Sequence, residues 1–337
     1  MRAAFGAIVR EAGNLSAGVF NADGEMLAQA ITGTPGHVNT MAASVKAMLS
    51  ILPSSTLSRG DVLVTNDPWL GAGHVFDFVV VTPVFVNDKI FAYLASTSHI
   101  VDVGGLGWPA EARTVYEEGV TIPVMHLRRV NTINEDLLGI VTANSRVPHE
   151  PCGDILSLLT CNDTGAKRLI DLMLEYRLND LCELSSFIFE RSEQGTKAAL
   201  QLAPNGDLNY SAAYAAFGIR ALLTPLVPNN QASLNAVRIS APPAPGLVVS
   251  AERPSPVSAQ HVIGHALPDL MFGCLEQALP GEVLAESAGA LWTLSLSGTG
   301  ESPFTSLNVV LGGYGRAPVS RRTIDNSVSF RCRRSAG

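Results

Sequence analysis

A histidine, an aspartate and a second histidine mark the part of this sequence best equipped for chemistry. Asn66-Asp67-Pro68-Trp69-Leu70-Gly71-Ala72-Gly73-His74 runs through a glycine-rich turn, Asp77 follows, and His99-Ile100-Val101-Asp102-Val103-Gly104-Gly105 closes the block. Two imidazoles and one carboxylate are a common set of protein ligands for zinc, iron or manganese, with positions left for water or substrate. An ion held there would lower the pKa of bound water and polarise a carbonyl. Spacing alone leaves a second reading open, in which the histidines only hydrogen-bond within a polar turn.

The elements around these residues decide whether they can meet. A hairpin is expected from Asp77 to Ser96, turning at Asn87-Asp88; His99 ends its return strand and so comes back beside His74 and Asp77. Upstream, Val19 to Leu27 reads as two short strands joined at Asp23-Gly24. A helix is expected over Asn39 to Leu52, with Met41, Val45, Met48 and Leu49 at helical spacing, and Gly60 to Thr65 reads as a strand. From Asp154 to Leu202 the pattern is helical, and Pro204-Asn205-Gly206-Asp207 ends it. A short helix near Ala212 to Leu223, a proline-rich stretch of loops and edge strands from Pro242 to Pro256 and a helix from Leu267 to Leu279 are expected next. The last strands lead to Gly312-Gly313-Tyr314-Gly315. This is an α+β pattern of hairpin-rich mixed sheets with a helical middle, in two packed subdomains. Its expected parts are a metal-bearing region at 1–150, a helical segment at 151–205, a C-terminal α/β region at 206–315, and an arginine-rich tail at 316–337 that reads as disordered rather than as a binding arm.

Composition narrows the function. The chain has 337 residues, 47% of them hydrophobic and only 16% charged, against roughly 25% charged in a typical globular chain. The excess of apolar residues fits either a large core or a covered subunit interface. Net charge is −7, which argues against nucleic-acid binding. No apolar run reaches the roughly 18 residues of a membrane span, and Met1 to Ser16 lacks the continuous apolar stretch of a signal peptide, so a cytoplasmic protein is expected. Cys152, Cys161, Cys182, Cys274 and Cys332 are odd in number and never spaced as CxxC; they read as reduced, mostly buried thiols. No phosphate-loop pattern occurs, so a nucleotide site on this chain is not expected.

The block from Asn66 to Gly105 resembles the signature of the hydantoinase B/oxoprolinase family. Pro35-Gly36-His37 and Met41 upstream fit it too, as do Tyr116-Glu117-Glu118-Gly119, Ile122-Pro123, Asn144-Ser145-Arg146-Val147-Pro148 and Gly153-Asp154 downstream. The match runs from about Glu11 to Tyr176 and resumes more loosely from about Tyr210 to Gly315. The resemblance implies that His74, Asp77 and His99 bind a divalent metal (Zn, Mn or Fe) and form the catalytic set. It implies a fourth ligand at the position of Asn14, where the family carries aspartate; a neutral amide oxygen is the weaker donor. Asp67 and Asp102 either compensate as ligands or support the site, Asp67 by fixing the turn and Asp102 by orienting His99. His37 either lines the pocket or is structural. Glu118 and Arg146 either hold the fold or touch substrate. His126 and His149 read as surface or packing residues, and His261 with His265 as a pair without an acidic partner.

The family further implies a hetero-oligomer in which ATP binds to a separate ATPase-type A subunit that activates the substrate. This B-type chain then hydrolyses a cyclic amide such as a hydantoin or oxoproline. A carboxylase branch acting on a ketone, like the alpha subunit of acetone carboxylase, and a catalytically degenerate relic are the alternatives. Three departures bear on activity: Asn14, a sheet-rich segment missing between Asn209 and Ser211, and a tail whose arginines suggest a shifted frame or truncated gene.

Overall fold

The computed structural model describes residues 5–200, apart from 7–8, 11–12, 31–34, 72 and 108–111, together with strand residues 208–210, 221–226, 236–240, 290–298 and 304–312. Its centre is a seven-stranded sheet in the order β2-β1-β5-β4-β3-β6-β7, antiparallel at every step. The strands are β1 (Leu15–Asn21), β2 (Met26–Gln29), β3 (Val62–Thr65), β4 (Asp77–Val86), β5 (Lys89–His99), β6 (Met125–Arg129) and β7 (Thr132–Ile133). Helix α1 (Pro35–Ile51) lies on one face, and α2 (Glu135–Asn144) and α3 (His149–Tyr176) lie on the other.

Strand periodicity sorts the side chains between two cores. Phe20, Leu63, Val79, Val81, Tyr93 and Ala95 meet Met41, Val45 and Met48 of α1. Val62, Val64, Phe78 and Val80 on the alternate face meet Leu137, Val141, Ile155, Leu158 and Leu159 of α2 and α3. With both faces covered, β3 and the inner parts of β4 and β5 are continuously buried rather than alternating. Two polar clamps tie α3 to the sheet. Asn162 donates to Val80 O (3.0 Å) and Thr82 Oγ1 (3.2 Å), and Arg128 of β6 grips Asp163 through two hydrogen bonds of 2.7 and 2.9 Å.

The long hairpin forms as the sequence suggests. Asn87 and Asp88 have φ of 47° and 60°, the paired left-handed conformation that tight hairpins need and that these two residues tolerate. The return strand runs on to His99. The β1–β2 hairpin, β3 and α1 also form where expected, with α1 beginning at Pro35 rather than Asn39. The helical middle is two helices, α3 and α4 (Cys182–Leu200), instead of one continuous stretch. Arg177 adopts a left-handed φ of 53° that ends α3, and Asp180 Oδ1 accepts from Cys182 N (2.9 Å) to start α4. The Asn179-Asp180 pair was the sequence signal for that break.

Two expectations need correction. Ala221 to Leu223 belong to a strand, not to the end of a helix: β9 (Ala221–Leu226) sits between β8 (Leu208–Tyr210) and β10 (Ala236–Ser240). Cys152, Cys161 and Cys182 are free thiols, but Cys161 and Cys182 are exposed and Cys152 only half-buried. A second pair, β11 (Ala290–Gly298) and β12 (Phe304–Gly312), supplies the strands before Gly313. The expected turn at Pro204–Asp207, the residues 212–220 of the expected short helix, the proline-rich stretch, the helix at 267–279, His261, His265, Cys274, Cys332 and the tail lie outside the described residues. Among the described residues no helix is long and apolar enough to cross a membrane.

Candidate metal centre

The site is assembled on strand register. Asp77 is the direct partner of His99 across β4 and β5, and Leu15 is the partner of Ser98 across β1 and β5. One step further along that second ladder, His99 N donates to Asn14 O (3.2 Å), so residue 14 stands opposite His99. Directly opposed residues in antiparallel strands project from the same face. Asn14, His99 and Asp77 therefore form a row across three adjacent strands, at the end of the face that α1 covers.

His74 reaches this row from the preceding loop, which is tied down at several points. Asn66, fully buried, donates from Nδ2 to Val75 O (2.6 Å) and Val120 O (3.0 Å), and its Oδ1 accepts from Ile122 N (2.6 Å). Asp67 Oδ1 accepts from Trp69 N (2.8 Å) and Leu70 N (3.3 Å), which is the turn-fixing role. Ser44 of α1 donates to Gly71 O (3.0 Å), and Ile100 N donates to Phe76 O (2.7 Å). Between these anchors Gly73 turns the chain with a φ of +100°, and His74 comes round to Asp77.

The result is a tight, buried group. One ligand atom from each of His74, Asp77 and His99 can be chosen so that all lie within 4.8 Å of one another, and the residues are 8%, 1% and 2% exposed. Asp77 Oδ2 lies 3.2 Å from His74 Nε2, and Oδ1 lies 3.3 Å from His99 Nδ1. Phe76 stacks on His99 with ring centroids 5.3 Å apart, giving the centre an apolar wall. Burial would push the Asp77 carboxyl up, but His74, His37 and His99 outweigh it and hold Asp77 well below the ordinary carboxylate range. Both Asp77 oxygens are buried, with imidazole nitrogens of His37, His74 and His99 standing 2.8, 3.2 and 3.3 Å from them. Two nitrogens and a carboxylate oxygen converging in this way fit a divalent metal such as zinc, manganese or iron.

The depressed Asp77 carboxyl has a signed consequence for stability. Its contribution is fully present above the unfolded-state pKa of about 3.9 and is lost as pH falls through the lower folded value. The stability difference between wild type and Asp77→Asn, measured by urea unfolding, is therefore expected to persist at pH 5 and to shrink on further acidification.

The other expected site residues divide into two groups. His37, in the first turn of α1, lies against the centre, with Nε2 2.8 Å from Asp77 Oδ2. Asp102 does not orient His99: its oxygens accept from Gly104 N (2.9 Å), Arg146 N (2.9 Å) and Arg146 Nη1 (2.8 Å). Arg146 also donates from Nη2 to Gly105 O, so this pair fastens the loop after His99 to the end of α2. Gly105 itself has a φ of +59°, and a Cβ there would lie 2.6 Å from Glu117 O and Gly119 N. Glu118 is fully buried behind that loop. His126 pairs loosely with Asp61 at 3.7 Å, away from the centre. Ser16 was not expected at the site, yet its Oγ lies 3.4 Å from His37 Nδ1. Its sequence signal was its place in Asn14-Leu15-Ser16, two residues after the expected fourth ligand position.

A hairpin-built α+β sheet carrying a buried two-histidine, one-carboxylate centre defines the class of protein. The profile of the hydantoinase B/oxoprolinase family matches residues 1–216 and 205–321, and the chain belongs to that family. The two matched stretches overlap at 205–216. An uncharacterized protein of Methanocaldococcus jannaschii is 25% identical over 352 residues, covering 90% of this chain and 62% of the relative. The B-type component of a putative D-/L-hydantoinase from Pseudomonas sp. (strain NS671) is 24% identical over 212 residues, 61% of this chain and 36% of that protein. Among solved structures, the ATP-dependent caprolactamase from Pseudomonas jessenii shares the fold with a TM-score of 0.70 at 17% identity, covering 87% of this chain and 59% of that one. The chain thus spans less than two thirds of the length of each of these relatives.

Proposed function

We propose that this chain is the B-type, metal-dependent hydrolytic component of an ATP-dependent enzyme that opens a cyclic amide, a hydantoin, oxoproline or related lactam. The observation that carries the reading is the buried His74/Asp77/His99 group in a member of this family. ATP is assigned to a separate ATPase-type A subunit, which makes the working form a hetero-oligomer. A divalent metal held by His74, Asp77 and His99 would supply the polarisation of the substrate carbonyl and the activation of water.

The protein's own groups prepare that chemistry. Asp77 stays ionised because imidazoles surround it, so a fixed negative charge is present at neutral pH. Phe76 keeps one side of His99 dry. The Asp102–Arg146 pair holds the loop that leaves His99, so the imidazole is anchored on both its strand and its loop side. Asn14, neutral where the family carries an aspartate, favours the second reading of a catalytically degenerate member.

The test combines the metal-loaded chain with an A-type ATPase subunit of the family and a cyclic amide, with ring opening followed by chromatography. Open-chain product is expected only when both chains and ATP are present. A metal-loaded, partner-bound chain that yields none with hydantoin, oxoproline or caprolactam would remove the hydrolytic reading in favour of the degenerate one.

A further inference from the structure

His37 stands in an unusual position relative to the centre. Its Nε2 is 2.8 Å from Asp77 Oδ2, closer than either His74 or His99 comes to that carboxylate. Yet it is not part of the group whose ligand atoms all lie within 4.8 Å of one another. His37 therefore meets Asp77 from outside that three-residue group. Its other nitrogen, Nδ1, faces Ser16 Oγ at 3.4 Å, and both residues are buried, at 5% and 3% exposure. Ser16 lies on β1 two residues after Asn14, which immediately precedes the strand opposite His99, and so both fall on the side that α1 covers. The result is a line of buried polar groups, Ser16 to His37 to Asp77, that runs from β1 through the first turn of α1 to β4.

A buried carboxylate can rotate about its χ2 unless something holds its plane, and it can serve as a metal ligand only while an oxygen faces the ion. Outer contacts of this kind commonly fix a ligand's orientation and raise its affinity for metal. The need is greater here than in a site with two carboxylates. Asn14 is neutral, Asp67 is committed to its turn, and Asp102 is committed to Arg146. Asp77 is left as the single anion of the metal-ligand group.

We propose that His37 is a positioning residue for Asp77, held in turn by Ser16, and that metal affinity at this centre depends on it although it does not touch the metal. The inference rests on the metal-binding reading given above and adds a residue to it. Because α1 also supplies the apolar cover of this face, the same contact couples the seating of that helix to the seating of the ligand.

The experiment is a chelator-competition titration with Zn²⁺, alongside absorption spectra of the Co²⁺-substituted protein, for wild type, His37→Ala, His37→Gln, Ser16→Ala and His74→Ala. His37→Ala is expected to weaken metal binding about 10- to 100-fold and to alter the Co²⁺ ligand-field bands. His37→Gln, whose side-chain amide can still donate to Asp77, is expected to recover most of the affinity, and Ser16→Ala to lose a smaller factor. Thermal unfolding of the metal-free proteins separates this from general damage, with His37→Ala and His37→Gln expected to unfold at similar temperatures. If His37→Ala binds within about twofold of wild type while His74→Ala does not bind, the positioning role is overturned and the metal centre stands. If the glutamine variant recovers nothing, the inference fails and the metal centre stands; if wild type takes up no metal, the inference fails together with metal binding by the wild-type chain.

Discussion

His74→Ala is expected to purify without metal and wild type with about one zinc, manganese or iron per chain, as elemental mass spectrometry would read. The effect is large because the described centre offers three ligands and no spare anion. Removing one imidazole leaves Asp77 and His99, which a chelator at moderate concentration should strip. Asn14→Asp is the informative counterpart. Residue 14 lies opposite His99 in the same row as Asp77, so an aspartate there would add a second carboxylate on the correct face. Its metal affinity is expected to exceed that of wild type. Wild type without metal, with metal gained in Asn14→Asp, would mark the chain as a relative that lost its fourth ligand. No metal in any of the three proteins would sink the centre itself.

Asn66→Ala is expected to be among the most destabilising single changes in the described region. The side chain satisfies the buried carbonyl of Val75, the half-buried carbonyl of Val120 and the buried N–H of Ile122. Truncation strips all three of their partner at once. At about 1–3 kcal/mol for each buried group left unpaired, and allowing for partial relaxation, the loss should be about 3–5 kcal/mol. Urea unfolding analysed by linear extrapolation measures it. Asn66→Asp keeps the acceptor for Ile122 N but loses both donations and buries a charge, so it should fare no better than alanine. A loss below about 1 kcal/mol for Asn66→Ala would show that the loop bearing His74 is held by its other ties.

Much of this molecule can be read from the chain, and the reasons are local. Asn87-Asp88 dictates a tight turn, and a tight turn between two strands of like length brings Asp77 and His99 together without reference to anything else. Gly73 before His74 has the same local character. What could not be read depends on tertiary placement. Asp102 was expected either as a compensating ligand or as a support for His99, and its carboxylate pairs with Arg146, just beyond α2, a partner too distant in the chain for spacing to indicate. His37 carried no clue to its partner, since its meeting with Asp77 depends on how α1 lies on the sheet. Ala221 to Leu223 read as helix because helical spacing in a short apolar run resembles a strand that is paired on both sides. The break at Arg177 was missed because a left-handed arginine has no propensity signal, and only the Asn179-Asp180 pair after it marks the turn.

The β4–β5 ladder also sets a distance scale for anyone altering this protein. From Asp77 to Val86 the strand advances nine residues, about 30 Å at some 3.3 Å per residue. The Asn87-Asp88 tip and the metal centre are therefore at opposite ends of one hairpin. Added residues at the tip extend the loop and leave the pairing below it in step. A single residue deleted from β5 between Ala92 and His99 instead shifts the frame of the strand, turning His99 to the α3 side of the sheet, away from Asp77. The hairpin tolerates change in its outline and almost none in its count.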